Sequence, residues 1–369
     1  MHLPRYRFRM PAFGPLLAIE GFGVSQSSPA DKAGTTRARD AIKVLDLRVI
    51  RKLNLGQVYN GSATHTTYSS RSSLAAAVAY HKAELASRGW EERQGPAGAG
   101  ETPEYTQRFF GKEGSSVRLT LSAFGEDMVM VSLSNLGDVP MVSLPRPEGA
   151  QPVGEPRPMI VTYTTPREFL GIAAECRREL AARGWREYGP FRSSHGDTPH
   201  LVAFNIVKGA ATVFVSIAEG RGESTGKTFV SYLAQPVLAI ELPMADDASE
   251  VKLNAMDGHL EYRSNRDKAS LVTFYRDAYR AEGYSDAVPK AADHGVLIFS
   301  DRDGSRLTVR LINLTTGGRR VVIRPSPRED DPTRRLKPAD FQAEIDADAQ
   351  PEGKTIDVES GDLISIPLD

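Results

Sequence analysis

An internal repeat constrains the fold of this chain more than any other feature of its 369 residues. One segment occurs three times, and each copy begins with Tyr and reaches a Gly 21 residues later. Each copy continues to a Phe that precedes a second Gly by five residues. The copies carry these landmarks at 68–89 with 109–114, at 163–184 with 204–209, and at 262–283 with 299–304. Such self-similarity predicts three tandem modules of about 95 residues.

The first part of each copy has the pattern of an amphipathic helix, with apolar residues at helical spacing. A Ser or Thr follows two residues after the Tyr, where its side-chain oxygen can accept hydrogen bonds from the amides of a helix start. We therefore predict N-caps at Ser70, Thr165 and Ser264. Pro166 would then open the second helix, and Glu168 would complete a capping box. The left-handed conformation that Gly adopts easily predicts helix ends at Gly89, Gly184 and Gly283.

The second part of each copy alternates apolar and polar residues, which is typical of strands with one buried face. Glycine turns separate these segments, and a short strand carrying the repeated Tyr precedes each helix. Each module is thus predicted to be one helix packed on a small antiparallel sheet, an α+β fold. We place the modules at 46–142, 143–240 and 241–325.

The two ends of the chain differ from the middle in charge. Residues 1–52 hold ten Lys or Arg against four Asp or Glu, whereas 326–369 hold five against twelve. We interpret 1–45 as a basic disordered extension and 326–369 as an acidic disordered tail. An alternative is that these ends dock electrostatically on each other or on a partner. The total formal charge of -1 disfavours a nucleic-acid partner for the chain as a whole.

Compartment and membrane signals are weak. The single cysteine, Cys176, excludes an intrachain disulfide framework and a cysteine-rich zinc module. No apolar run approaches the roughly 20 residues of a transmembrane helix, so no membrane span is predicted. Arginines before a modestly apolar stretch at 10–19 resemble a signal peptide, but Pro11, Pro15 and Glu20 argue against one. The sequence leaves both a cytoplasmic and an exported location open.

The helix ends carry the sequence Leu-x-x-x-Gly-Trp at 85–90 and 180–185, followed by a strand that ends in Phe and a Gly turn. This arrangement resembles modules repeated in uncharacterised bacterial proteins that are often associated with the cell envelope. The resemblance covers about 46–325 and rests on structural landmarks. It implies the tandem strand-helix-strands fold and brings neither an activity nor a functional residue.

Two apparent ligand motifs fail on their own chemistry. The segment 223–228 ends like a phosphate-binding loop in Gly-Lys-Thr, but the glycine expected five residues before Gly226 is Arg221, and a strand follows where a helix is needed. The segment 301–304 begins like a calcium loop but lacks a third oxygen ligand and a closing Glu. We interpret both segments as hairpin turns.

Two further sets of residues are candidate sites. His195, Asp197 and His200 are two imidazoles and a carboxylate within six residues. They could hold a divalent metal or take part in Ser/His/Asp chemistry, although a polar loop explains them as well. The repeated Tyr68, Tyr163 and Tyr262 could form a stacking surface for sugar rings or an extended peptide, or they could pack beneath the helices as core. Cys176 lies on the apolar helical stripe and is predicted to be a buried, inert thiol.

The residues that recur in the three copies are ones that form the fold, and no catalytic constellation recurs among them. We therefore expect a non-catalytic binding or scaffold protein without a cofactor, with a protein or a polysaccharide as its partner. One alternative is a hydrolase or metal-dependent enzyme with its site in a groove between modules. A second alternative is a purely structural spacer.

Overall fold

The computed structural model describes residues 37–95, 102–125, 127–155, 157, 159–189, 199–255, 258–287, 295–300 and 306–326. Within these residues the chain forms three six-stranded antiparallel sheets, each joined to one long helix. The three tandem α+β modules predicted from the repeat are confirmed. Among the described helices, none is long and apolar enough to cross a bilayer.

A short helix, α1 (Ala38–Val44), precedes module 1. The elements of module 1 are β1 (Leu55–Gly61), β2 (His65–Ser70), α2 (Leu74–Ala86), β3 (Glu91–Arg93), β4 (Tyr105–Lys112), β5 (Ser115–Ala123) and β6 (Val129–Gly137). Helix α1 falls inside the extension 1–45, which was predicted to be disordered because it has no long apolar period. It is ordered by tertiary contacts, since Ala38 and Ala41 are buried and the Asn135 side-chain amide donates to the carbonyls of Ala41 and Leu45 at 3.0 Å each.

Modules 2 and 3 repeat the same order of elements. Module 2 consists of β7 (Gln151–Pro152), β8 (Ile160–Thr165), α3 (Phe169–Ala182), β9 (Arg186–Tyr188), β10 (Leu201–Lys208), β11 (Ala211–Glu219) and β12 (Thr228–Gln235). Module 3 consists of β13 (Ser249–Asn254), β14 (His259–Ser264), α4 (Lys268–Ala281), β15 (Ser285–Asp286), β16 (Val296–Ser300), β17 (Arg306–Asn313) and β18 (Arg319–Ser326). The opening strands β1, β7 and β13 were not predicted, because they are mostly exposed and lack apolar alternation.

The strand order is the same in all three sheets. In module 1 it runs β1-β2-β6-β5-β4-β3, and the other modules follow it strand for strand. The second and last strands of each module are therefore neighbours at the centre, while the first and third strands form the two edges. Every pairing between the named strands is antiparallel.

One face of each sheet packs on the helix. Side chains alternate between the two faces of a strand, so every second residue enters the core. In β11, for example, Val213, Val215 and Ile217 are fully buried and share a cluster with Ile172 and Leu180 of α3. The opposite face of each sheet, which we call the helix-free face, carries no helix of its own module.

The predicted helix starts are wrong by about one turn, whereas the predicted ends are confirmed. The N-caps are Ser73, Glu168 and Asp267, whose side chains accept from backbone amides of the first turn. Ser70, Thr165 and Ser264 are instead the last residues of β2, β8 and β14, because each still pairs with the final strand of its module. Pro166 therefore lies in the turn before the helix. Gly89, Gly184 and Gly283 have φ of +79°, +80° and +88°.

The modules contact one another through the backbone. The Val237 amide donates to the Asn135 carbonyl at 2.9 Å, joining the ends of β12 and β6. Gly189, just after β9, forms a parallel bridge with β13 of module 3. Helix α1 reaches module 3 as well, since the Ala38 amide donates to Glu241 Oε1 at 2.6 Å. The two consecutive module junctions thus differ in geometry.

Candidate functional site

The repeated tyrosines lie in the core beneath the helices. Tyr68 and Tyr262 are completely buried and Tyr163 is 5% exposed. The Tyr68 hydroxyl accepts from the Leu53 amide at 3.3 Å, and the Tyr262 hydroxyl accepts from the Ala245 amide at 3.2 Å. Burial raises the pKa of all three phenols. In modules 1 and 3 the ring therefore joins the segment entering the module to the helix. A stacking surface would require an exposure that all three rings lack.

A second polar residue recurs beneath each helix. His81, Cys176 and Tyr275 each lie 13 residues after the repeated Tyr. His81 Nε2 is 2.6 Å from the Tyr68 hydroxyl, and the hydroxyls of Tyr275 and Tyr262 hydrogen bond directly. In module 2 the neighbour of Cys176 is instead Tyr232, whose hydroxyl is 3.6 Å from Sγ. These pairs are structural, since no described pair reaches solvent.

The ionisation of these groups fits their burial. Desolvation lowers the pKa of His81 to about 4, so its imidazole is neutral at pH 7. Burial raises the pKa of the Cys176 thiol, which agrees with the predicted buried cysteine. A neutral imidazole and an un-ionised thiol, both inaccessible, are not equipped for nucleophilic chemistry.

The candidate metal residues are only partly within the described structure. His195 and Asp197 lie outside the described residues. His200 is exposed, and its Nδ1 lies 2.7 Å from Oε2 of Glu219 on the neighbouring strand. No cluster of three or more His, Cys, Asp or Glu side chains suited to a metal occurs in the part of the chain that the structure describes.

The Gly-Lys-Thr segment is a hairpin turn. Gly226 has a φ of +81°, and Thr228 already belongs to β12. The backbone therefore presents no helix N-terminus to a phosphate. The segment 301–304, the other predicted turn, lies outside the described residues.

A pocket of about 380 Å³ lies where β3 meets β4 in module 1. Its lining includes Glu92 and Arg108, which form an ion pair at 3.7 Å, together with Gln107 and Phe109. Arg93 also lines the pocket, so two arginines and one glutamate give its lining a single excess positive charge. The pocket is open to solvent and offers no enclosed reaction site.

The helix-free faces of the first two sheets share a row of hydroxyl groups. Thr67 Oγ1 donates to Ser132 Oγ at 3.3 Å in module 1, and Thr162 Oγ1 and Ser231 Oγ are 3.0 Å apart in module 2. The row comprises Thr67, Ser132 and Thr120 in module 1, Thr162, Ser231 and Ser216 in module 2, and Glu261, Val322 and Arg310 in module 3. At the equivalent positions module 3 therefore has two charged side chains and a valine instead of three hydroxyls.

The helix-free face of module 3 is rich in cations, and we call it the arginine face. The strand register places every cation on the face opposite the one from which Leu260, Val309 and Ile323 enter the core. The cations are Lys252, Arg263, Arg306, Arg310, Arg320 and Arg324. Among the described residues this face also holds the carboxylates of Glu250 and Glu261, which leaves an excess of four positive charges. By the same register the corresponding face of module 1 holds Arg93 and Arg118, and that of module 2 holds Arg186 on β9 and no cation on its described strands β8, β10, β11 and β12.

Like charges are neighbours on this face. Arg263 and Arg320 are directly opposed across β14 and β18, an arrangement that destabilises a sheet unless an anion compensates it. Glu250 Oε2 accepts from Arg263 Nε at 3.0 Å. Arg324 Nε donates to His259 Nε2 at 3.2 Å. Burial lowers the pKa of His259 to about 4, and the positive charge of Arg324 contributes to the same shift. This histidine is therefore a neutral acceptor at pH 7.

Sequence reasoning missed this face for a definable reason. The arginines are separated by apolar core residues at every second position, so no run of basic residues marks them in the sequence. Only the register of β14, β17 and β18 brings them together. The alternation of Arg with Leu, Val and Ile in 306–312 and 319–324 was the available signal.

Guanidinium groups on a sheet form an ordered set of anion-binding forks. Each fork can donate two parallel hydrogen bonds to a carboxylate, sulfate or phosphate. Residues two apart along a strand are roughly 7 Å apart, and neighbouring strands are separated by about 4.8 Å. The spacing suits a ligand with repeated anionic groups. No family profile matches the sequence, and neither the curated proteins nor the solved structures include a significant match, so the interpretation rests on these residues.

Proposed function

We propose that this protein is a non-catalytic binding protein and that the arginine face of module 3 holds an anionic polysaccharide. The observation that carries the proposal is the concentration of six cations on one helix-free face. The positions of its five arginines carry hydroxyl, apolar or aromatic side chains in modules 1 and 2, and Lys252 stands where module 1 has Asn60. The sheet that carries them is fixed by a helix and a buried core. The donors are thus held in place before a ligand arrives.

The composition of the face favours a polysaccharide over a nucleic acid. Proteins that bind single-stranded nucleic acids combine cations with aromatic rings that stack on the bases. The described residues of the arginine face include no Phe, Tyr or Trp, since Val322, Thr308, Ile312, Val296 and Ile298 fill the spaces between the cations. Carboxylate or sulfate groups on a sugar chain need only the forks that the face provides.

The repeat itself supplies the test variant. Arg310 is equivalent to Ser216 of module 2, and Arg320 is equivalent to Met130 of module 1. The double variant Arg310→Ser/Arg320→Met therefore installs residues that this fold already accepts at those positions. The control variant Arg221→Ser/Lys227→Met removes two exposed cations from the β11–β12 hairpin, away from the face.

Binding is measured by calorimetry on the full chain with a uronic-acid polysaccharide, a sulfated polysaccharide and a neutral glucan. We expect the anionic polymers to bind, with an affinity that weakens as salt rises, and the face variant to lose about tenfold in affinity or more. The control should stay within about twofold, because exposed single charges contribute little. Equal losses in both variants, or no binding to any polysaccharide, would overturn the proposal. Binding to single-stranded DNA alone would replace it with a nucleic-acid function.

A further inference from the structure

The first strand of each module lies at a sheet edge, and one of these edges is occupied by another module. The Gly189 amide donates to the Val251 carbonyl at 2.8 Å, and the Leu253 amide donates to the Gly189 carbonyl at 3.1 Å. Gly189 follows β9, the third strand of module 2, and runs parallel to β13 of module 3. The residue that follows the third strand of module 2 is thus hydrogen-bonded to the edge of the first strand of module 3.

The equivalent edge of module 2 cannot take the same contact. Its strand β7 has only two residues and ends at Pro152. Gly154, which is equivalent to Leu253, has a φ of +70°, so the chain leaves the extended conformation at this position. Proline and a sharp turn are common protections of an exposed strand edge.

The edge of module 1 has neither an occupant nor this protection in the described structure. Asn60 pairs with Thr67 as Lys252 pairs with Glu261, so Tyr59 and Gly61 are equivalent to Val251 and Leu253. Both strands also have a register shift just before these pairs. The Ser62 amide donates to the His65 carbonyl and so points towards β2. Because successive amides of an antiparallel strand point to opposite sides, the Gly61 amide points away from β2, towards the open edge of the sheet.

The open edge also exposes apolar side chains. Leu55, Val58 and Tyr59 are 52%, 44% and 54% exposed, although strand edges on a monomer are normally charged, short or covered. Val49, which precedes the strand, is 55% exposed. An interaction that covered β1 would remove this apolar surface from water.

We infer that the edge of β1 binds the end of β15 (Ser285–Asp286), the third strand of module 3, from a second copy of this chain. Strand β15 is equivalent to β9 and lies at the far edge of its sheet, where it pairs with β16 alone among the described strands. The junction seen between modules 2 and 3 would then continue from copy to copy. Because the two surfaces differ, the contact is heterologous and generates a chain or ring of copies rather than a closed two-fold dimer.

Gly61 permits a clean test. In Gly61→Pro the outward amide is lost, while the β1–β2 ladder is kept because that amide does not face β2. Gly61→Ala keeps the amide, and its Cβ would approach Val58 Cγ1 only to 3.5 Å, an ordinary contact. Neither variant alters the arginine face, so failure of this inference is distinguishable from failure of the binding function.

The mass of the full chain is measured by sedimentation over a wide range of concentration. We expect it to rise above 40.3 kDa as concentration increases, for Gly61→Ala to behave like the wild type, and for Gly61→Pro to need about tenfold higher concentration. Labelled Gly61→Pro should still bind the wild type, because its module 3 end is intact. A mass of 40.3 kDa throughout, equal behaviour of the Pro and Ala variants, or a Pro variant that fails to bind the wild type would each overturn the inference.

Discussion

The hydroxyl of Tyr68 lies 2.6 Å from Nε2 of His81, and both side chains are completely buried beneath α2. Equivalent positions carry polar side chains in the other modules, with Cys176 in module 2 and Tyr275 in module 3. Each of these pairs also reaches the segment that enters its module, through Leu53, Pro145 or Pro243. A buried polar contact thus fixes the path of the chain into each module. The contact uses an imidazole, a thiol or a phenol in the three modules.

Stability should fall on acidification because of His81. Its folded pKa of about 4 lies below the ordinary value of 6.5, so the unfolded chain binds the additional proton between these pH values. The contribution is complete above about pH 6.5 and is lost as pH falls towards 4. We expect His81→Gln to reduce the slope of unfolding free energy against pH by up to about 1.4 kcal/mol per pH unit in this window.

Urea unfolding at a series of pH values between 7 and 4 measures that slope. His65, whose pKa burial also lowers to about 4, remains in the variant, so part of the pH dependence should persist. An unchanged slope in His81→Gln would contradict the burial of a neutral imidazole.

The helix end at Gly184 should tolerate no side chain without cost. Its φ of +80° is a conformation that L-residues adopt with difficulty, so Gly184→Ala should lower the free energy of unfolding by about 1 kcal/mol. Gly171 lies within α3 with an ordinary helical backbone, and a Cβ there would come 3.3 Å from Oε2 of Glu168. The gain in helix propensity and this tight contact oppose each other, so Gly171→Ala should change stability by less than Gly184→Ala. Thermal and urea unfolding of the pair checks this order, and equal losses would argue against the assigned helix end.

The corrected helix start in module 2 can be tested in the same way. Glu168 accepts from the amides of Leu170 at 2.8 Å and Gly171 at 2.7 Å. Removing this cap in Glu168→Ala should cost about 1 kcal/mol. Thr165→Val loses only a long hydrogen bond of 3.4 Å from the Arg167 amide to Thr165 Oγ1, and it should cost about half as much. Urea unfolding that ranked the two variants in reverse order would restore Thr165 as the cap.

The thiol of Cys176 should be unreactive in the folded protein. It is 1% exposed, and burial raises its pKa, so thiolate at its surface is scarce at pH 8. We expect a chromogenic disulfide reagent to modify it at least about a hundredfold more slowly than an exposed cysteine. The control is Ser87→Cys in a Cys176→Ser background, since Ser87 is exposed. Comparable rates in the two proteins would show that α3 does not shield the thiol.

The sequence predicted the elements whose side chains repeat and missed those that depend on partners. The three glycine helix ends were correct because a positive φ demands a specific residue. The helix starts were displaced because Ser70 and its equivalents also serve as strand ends, and only pairing with the last strand decides between the two roles. Helix α1 was missed since its order comes from Asn135, which is 94 residues away from Ala41 in the chain.

The candidate site shows the same division. Burial of Tyr68 and Tyr262 was one of two interpretations that the sequence left open, and packing beneath the helices selects it. The arginine face was not predicted, because Arg310, Arg320 and Arg263 become neighbours only through the register of three strands. The charge pattern of a sheet face is a property of pairing, whereas a helix face can be read from one segment.

Helix α1 depends on a residue that the ribosome makes much later. The Ala38 amide finds its acceptor in Glu241, 203 residues further along the chain. At roughly 5–20 residues per second, synthesis of the intervening chain takes about 10–40 s. During that interval modules 1 and 2 can complete their sheets, since all their strands have been made. The first described helix therefore gains its hydrogen bond to module 3 only after residue 241 of 369 has been made, when every described strand of modules 1 and 2 is already available.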